Sequence, residues 1–370
     1  MEKINGTNLG NWLELEKWMS DLIFEGTDAE DEVWLARLLP PEELAARMKK
    51  HRDTYVTEKD FQDIASHGLN LVRIPVPYFI FGDRPPFTGC IEYLDKAFEW
   101  AGKYGLKVLI DLHTVPGSQN GYDNGGITGV CKWCTDKKEV EFALSVLERL
   151  AERYAPHPAL FGIEVLNEPI SFSVYMTAPS TGKARDKKEA KGSGYVPMRF
   201  LKTFYKKAYC ILRRHLDKSK VIVFHDGFRL GRWRNFFQRE HMENVMLDTH
   251  IYIFAMENFI PFKSMWIYRM YTAFNGWLLK RTARCTPVVV GEWCIANRKA
   301  QDLFGTPGKQ KECRKIFRQV YDMQSKFWNK SAGQIYWNYQ LLRDRSVPLD
   351  EVWKNGWDLS RCWKNHWIGK

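Results

Sequence analysis

The sequence predicts an α/β fold, a (β/α)8 barrel, and three observations predict it. Eight short runs rich in β-branched and apolar residues recur along the chain. Longer stretches with helical periodicity separate them, and polar side chains gather where the runs stop. The 370 residues exceed the usual single-domain length, but barrels of this kind reach it as one unit, so residues 1–370 read as a single domain.

The predicted strands are Ile4–Leu9, Leu69–Ile74, Lys107–Leu112, Phe161–Leu166, Val221–Phe224, Val245–Asp248, Val288–Val290 and Gln334–Trp337. Most are apolar throughout, as expected when both faces of a parallel sheet are covered. Between them lie amphipathic segments, among them Glu58–His67, Ile91–Tyr104, Lys138–Tyr154, Met198–Leu216, Met265–Arg281 and Gln310–Trp328. Strand and helix in strict alternation imply parallel pairing through right-handed crossovers, and eight strands close a barrel. Two insertions, Asp21–Arg52 and Ser171–Pro197, follow the first and fourth strands and are expected to overhang the C-terminal face.

Composition excludes several classes. Hydrophobic residues make up 45% of the chain, enough for a full core, and the longest apolar runs are strand-sized, so no membrane partner is expected. The net charge of +11 invites a nucleic-acid reading, but the basic residues are dispersed. The densest cluster, Lys183–Lys191, is broken by Asp and Glu and reads as a solvated loop, so no nucleic-acid partner is expected either. The eight cysteines include one CxxC, Cys131–Cys134, with no second pair at zinc-ligand spacing. No leader is visible in the first residues. Together these readings place the protein in a reducing cytoplasm, or outside the cell if a leader has been removed. Fifteen Trp, 16 Tyr and 22 Phe are an excess that a sugar-binding cleft, with its flat aromatic walls, would use.

In such a barrel the chemistry sits where strands end. Arg73 closes strand two, Asp111-Leu112-His113 strand three and Asn167-Glu168-Pro169 strand four. His250 closes strand six with Tyr252 beyond it, Glu292-Trp293 strand seven and Trp337 strand eight. Glu168 and Glu292 stand three βα units apart and so face one another across the mouth. Paired carboxylates are what glycoside hydrolysis needs: about 5 Å between them retains configuration, and a gap nearer 8 Å admits water and inverts it. Glu168 is expected to act as acid/base, its pKa raised by the charge of Glu292. Glu292 is expected to be the nucleophile, held ionised by Arg73 and Tyr252, with Asn167 donating to the sugar 2-hydroxyl. A metal centre built on His113, His250, Asp111 and Glu292 lacks the HxH or HxxxH spacing, and no GxSxG elbow is present, so neither metal nor cofactor is expected.

Asn167–Pro169 and Gly291–Trp293, with Arg73, His113, His250, Tyr252 and Trp337 in order, resemble glycoside hydrolase family 5 over nearly the whole chain. Gly6–Met19, Asp111–Gly126 and Val289–Cys294 are similar to fungal-type exo-β-1,3-glucanases. That resemblance implies that Glu16 grips the terminal sugar and that Asp123 and Asn124 close the pocket around it. The activity implied is a retaining exo-β-glucosidase or glucan β-1,3-glucosidase acting on a β-glucan oligosaccharide or β-glucoside. A family 5 glucosidase of glycolipids or plant glucosides and a sugar-binding pseudoenzyme are the alternatives. The family's entrance clamp of two Phe falls here on Tyr122 and Ala255, with Phe254 one step early.

Overall fold

The computed structural model describes residues 2–177, 181–260, 262–341 and 356–369. Eight parallel strands pair in chain order and close into a barrel: β1 (Ile4–Asn8), β2 (Leu71–Val76), β3 (Lys107–Leu112), β4 (Leu160–Glu164), β5 (Val221–His225), β6 (Val245–His250), β7 (Val288–Trp293) and β8 (Gly333–Tyr336). Ile4 registers with Gly333 and Thr7 with Tyr336, which seals β1 against β8.

The crossovers carry α1 (Glu32–Leu38), α2 (Pro41–Tyr55) and α3 (Glu58–Ser66) after β1, α4 (Ile91–Tyr104) after β2 and α5 (Lys137–Tyr154) after β3. After β4 come α6 (Phe172–Thr177) and α7 (Met198–Leu212), then α8 (Phe236–Arg239) after β5. β6 is followed by α9 (Ile253–Met256) and α10 (Met265–Thr282), and β7 by α11 (Arg298–Gln301) and α12 (Gln310–Trp328). Local chemistry sets their ends. Thr57 and Asp60 form a reciprocal capping box on α3, the Asp136 side chain caps α5, and Gly105 ends α4 at φ 71°.

The barrel interior is apolar at its N-terminal end, where Ile4, Leu71, Leu109, Val221, Val223, Met246, Val289 and Ile335 pack together. A much larger apolar layer lies between the strands and the helices. The floor of the site therefore rests on a filled core, and polar groups begin one layer higher.

Three strands differ from expectation in a way that matters. β2 runs to Val76, β4 ends at Glu164 and β7 continues to Trp293, so Arg73 and Glu292 lie within strands rather than at their ends. Pairing with covered neighbours keeps β2 and β7 extended past the point where their apolar runs stop, whereas β4 ends two residues early. The first insertion is mostly helical, holding α1 and α2. The two insertions are tied together: Arg37 makes two hydrogen bonds to Glu189, at 2.7 and 2.8 Å, and Arg185 pairs with Asp28 and Glu30. The Lys183–Lys191 charge cluster thus spends part of its charge inside the chain.

Candidate active site

The site grows from one buried cation. Arg73 is fully buried, and β2 aims it into the barrel. Its Nε donates to Glu164 at 2.7 Å, Nη1 to Asn8 at 2.9 Å and to Glu292 at 3.0 Å, and Nη2 to Asn167 at 3.0 Å. Asp111 lies 3.1 Å from Nη2 and Asp248 3.8 Å from Nε. A planar guanidinium with five N–H donors can meet so many acceptors at once, whereas an ammonium cannot. Buried carboxylates with that cation at their centre stay fixed without water.

Above Arg73 stand the two predicted catalytic carboxylates. Glu292 takes Arg73 on one oxygen and accepts the Tyr252 hydroxyl at 2.7 Å on the other. Glu168 accepts from Asn124 at 2.9 Å on Oε2 and meets His250 Nδ1 at 2.7 Å on Oε1. The same Nδ1 is 3.2 Å from Glu292 Oε2, so the facing oxygens of Glu168 and Glu292 lie within about 6 Å of each other. That distance is below the range that admits a water between the carboxyls of inverting enzymes. Glu168 is held at φ 42°, a left-handed conformation that costs a non-glycine residue energy and that collects at functional positions.

The protonation pattern corrects the expectation for Glu168. Burial would raise its pKa, but the hydrogen bond and charge of His250 outweigh burial and hold it below the usual carboxylate value. Burial would lower His250, yet the charges of Glu292 and Asp248 and its bonds to Asp248 and Glu168 push it well above 6.5. Glu292 is raised, by burial first, against the pull of His250 and Arg73. Of the three groups, His250, between the two carboxylates, is the one whose charged surroundings favour the protonated form. The repulsion expected between Glu168 and Glu292 is opposed by the His250 imidazole, which lies 2.7 Å from one and 3.2 Å from the other.

A cavity of about 420 Å3 opens over this floor, lined by Glu16, Trp18, Tyr122, Asp123, Asn124, Glu168, Tyr252, Phe254, Glu292, Trp337 and Trp357. Glu16 Oε2 accepts the Trp18 indole N–H at 2.6 Å, while its Oε1 is buried with no hydrogen-bond partner. Burial and the charges of Glu14 and Asp123 raise Glu16 well above its ordinary value. Beneath it, burial lifts Glu14 to about 7. Trp337 lies parallel to His113 at 5.6 Å, and a Cβ on Gly10 would come within 2.5 Å of its ring, so the glycine is what lets the β1 loop pass under that indole. Trp357 joins the walls, 5.0 Å from Tyr252 and 5.3 Å from Trp18 between ring centres.

The sequence matches the family model Cellulase (glycosyl hydrolase family 5) over residues 44–340. The chain belongs to glycosyl hydrolase family 5. It is a glycoside hydrolase, and its eight-stranded barrel is the fold expected of it. It is 36% identical over 301 residues to a probable glucan 1,3-beta-glucosidase A of Emericella nidulans, covering 79% of this chain and 67% of that protein. A probable glucan 1,3-beta-glucosidase A of Aspergillus terreus is 31% identical over 396 residues, with 97% and 86% covered. The crystal structure of a rutinosidase from Aspergillus niger superposes with a TM-score of 0.75 at 20% identity, over 99% of this chain and 98% of that one, and shows the shared fold.

Within this family 5 site, Glu16, Asp123, Asn124, Glu168, Tyr252, Glu292 and Trp337 all reach the cavity, and Arg73, His113, Asn167 and His250 support it from below. Asn167 is engaged there: its oxygen accepts from Arg73 and its amide nitrogen faces His113 Nε2 at 3.3 Å. The clamp position expected at Ala255 is exposed, and Phe254 takes its place on the lining beside Tyr122. Asn8, Glu14, Trp18, Glu164, Asp248 and Trp357 were not singled out from sequence. Glu164 and Asp248 carried a signal, a lone acid inside an otherwise apolar strand. Trp357 carried none.

Among the described residues, three buried groups bring His and carboxylate ligand atoms within 4.8 Å: Glu168, His225 and His250; Glu14, Glu16 and His113; Glu164, Asp248 and His250.

Proposed function

We propose that this glycoside hydrolase is a retaining, exo-acting β-glucosidase of the glucan β-1,3-glucosidase type, with Glu292 as nucleophile and Glu168 as acid/base. The observation that carries the reading is the pair of carboxylates within about 6 Å, bridged by His250 Nδ1 at the floor of the cavity. Arg73 and Tyr252 aim Glu292 at the anomeric carbon. His250 Nδ1 passes its proton across the 2.7 Å contact to Glu168, which gives it to the departing glycosidic oxygen. Bond formation at Glu292 discharges that carboxylate. Glu168, now ionised, takes a proton from water as the water attacks the glycosyl-enzyme and restores the original configuration.

Exo action is supported by Glu16, Trp18, Asp123 and Asn124, which gather polar groups around one side of the cavity. The Glu16 carboxylate, on the cavity lining, is an acceptor for a terminal-sugar hydroxyl. The named relatives act on glucan 1,3-β linkages, which supports the same linkage here. Glu292→Gln should abolish turnover of an aryl β-glucoside while leaving the melting temperature near that of the parent. A 2-fluoro-β-glucoside should add one glycosyl mass to the Glu292 peptide. An adduct on another residue, or an α-configured first product by NMR, overturns the assignment. All eight cysteines are unpaired thiols, which supports a reducing compartment as the place of work. Counting alkylated thiols on protein taken directly from cells tests that reading.

A further inference from the structure

Helix α10 carries large apolar side chains on its outer side as well as on the side that packs against the core. The side against the barrel presents Tyr268, Thr272, Gly276, Leu279 and Thr282, several of them small or polar. Gly276 lets α12 approach closely, since a Cβ there would lie 2.5 Å from the Phe327 ring. The outer side carries Trp266, Met270, Phe274 and Trp277, at 68, 53, 60 and 54% exposure. Their spacing of four, four and three residues keeps them on one face over about 16 Å of helix. The loop before α10 adds Phe259 and Phe262, 64 and 68% exposed. This stretch holds most of the large apolar side chains that the described residues leave in solvent. An apolar surface of that extent marks a contact.

Charge identifies what it contacts. From Asn258 to Cys285 there is no Asp or Glu, and there are five basic residues, Lys263, Arg269, Lys280, Arg281 and Arg284, all exposed. Lys263 pairs with Asp302 at 2.6 Å, and among the described residues the other four meet no carboxylate. A second copy of this face would set cations against cations. A bilayer of anionic lipids offers an apolar boundary for the aromatic rings and phosphates for the basic rim. No helix among the described residues is long and apolar enough to cross a membrane, so contact would be peripheral.

We propose that the segment from Phe259 to Arg284 docks the protein on the surface of an anionic lipid bilayer. Phe259, Phe262, Trp266, Phe274 and Trp277 enter the headgroup boundary, and Arg269, Lys280, Arg281 and Arg284 meet lipid phosphates. This reverses the expectation from sequence of no membrane partner. That expectation looked for a continuous apolar run, whereas helical periodicity disperses these residues along the chain. The surface begins five residues after Phe254, which lines the active-site cavity.

The test is co-sedimentation of the full chain with vesicles of phosphatidylcholine alone and of phosphatidylcholine with phosphatidylserine, read against ionic strength. The parent should bind the mixed vesicles, more weakly in high salt, and scarcely the neutral ones. The triple variant Trp266→Ser, Phe274→Ser, Trp277→Ser should lose about tenfold or more in apparent affinity. Arg269→Glu with Arg281→Glu should lose binding to a similar degree. Melting temperature and far-UV circular dichroism, independent of catalysis, establish that each variant is folded. Failure of the parent to bind mixed vesicles overturns the proposal, as does undiminished binding by the folded triple variant. Concentration-dependent dimerisation that the triple variant abolishes, without vesicle binding by the parent, also overturns it and assigns the face to self-association.

Discussion

Replacing Arg73 by Lys tests whether one guanidinium organises the site. Five oxygens lie within 3.1 Å of its nitrogens, from Glu164, Asn8, Glu292, Asn167 and Asp111. An ammonium keeps the charge but has three donors, so at least two of those oxygens lose their partner. At about 1.5–3 kcal/mol for each hydrogen bond to a charged group, the loss of two comes to about 3–6 kcal/mol. In a barrel of this size, at about 2.1 cal/mol/K of unfolding entropy per residue, that is a fall in melting temperature of roughly 4–8 °C. Glu292 also loses the contact that fixes its Oε1, so kcat/KM on an aryl β-glucoside should drop by about two orders of magnitude, near 3 kcal/mol of transition-state stabilisation. Differential scanning fluorimetry and initial rates read the two effects. A variant within a few degrees and threefold of the parent would refute the idea that the guanidinium fork, rather than its charge alone, holds the carboxylates.

Further outcomes follow from neighbouring contacts. A Cβ at Gly291 would sit inside the Asp248 carboxylate, which Gly291 N–H holds at 2.7 Å, so Gly291→Ala should cost about 1–3 kcal/mol in urea denaturation and most of the activity. Parent-like values for both would show that Asp248 is free to move. His250 has a folded-state pKa well above its unfolded value near 6.5, so its stabilisation is complete below that pH and is lost as pH rises through the folded value. The parent's melting temperature should thus decline on the alkaline side more steeply than that of His250→Gln; equal slopes would mean His250 is neutral in the fold. Glu16→Ala removes a carboxylate from the cavity lining and the Trp18 acceptor, and should lower kcat/KM for β-glucosides by about 10–100-fold. An unchanged value would remove Glu16 from sugar binding.

The barrel was legible in the chain itself, because alternation of β-branched runs with amphipathic stretches follows from local periodicity and burial. Glu168, Glu292, Arg73, His250 and Tyr252 were legible too, since polar side chains beside apolar strands stand out without any knowledge of distance. Their protonation was not legible. It turned on His250 lying between the carboxylates, 2.7 Å from one and 3.2 Å from the other, and that is a relation between three strands. Glu164 and Asp248, inside β4 and β6, became part of the site only when closure of the barrel turned them towards Arg73. Trp357 reached the cavity only through the fold of the chain after β8, and the aromatic face of α10 became a surface only when the barrel used that helix's other side. What the sequence by itself determined was the set of residues and the alternation that orders them. Which charges neutralise one another, and which apolar faces stay in solvent, only the tertiary structure decided, because both depend on distances between residues far apart in the chain.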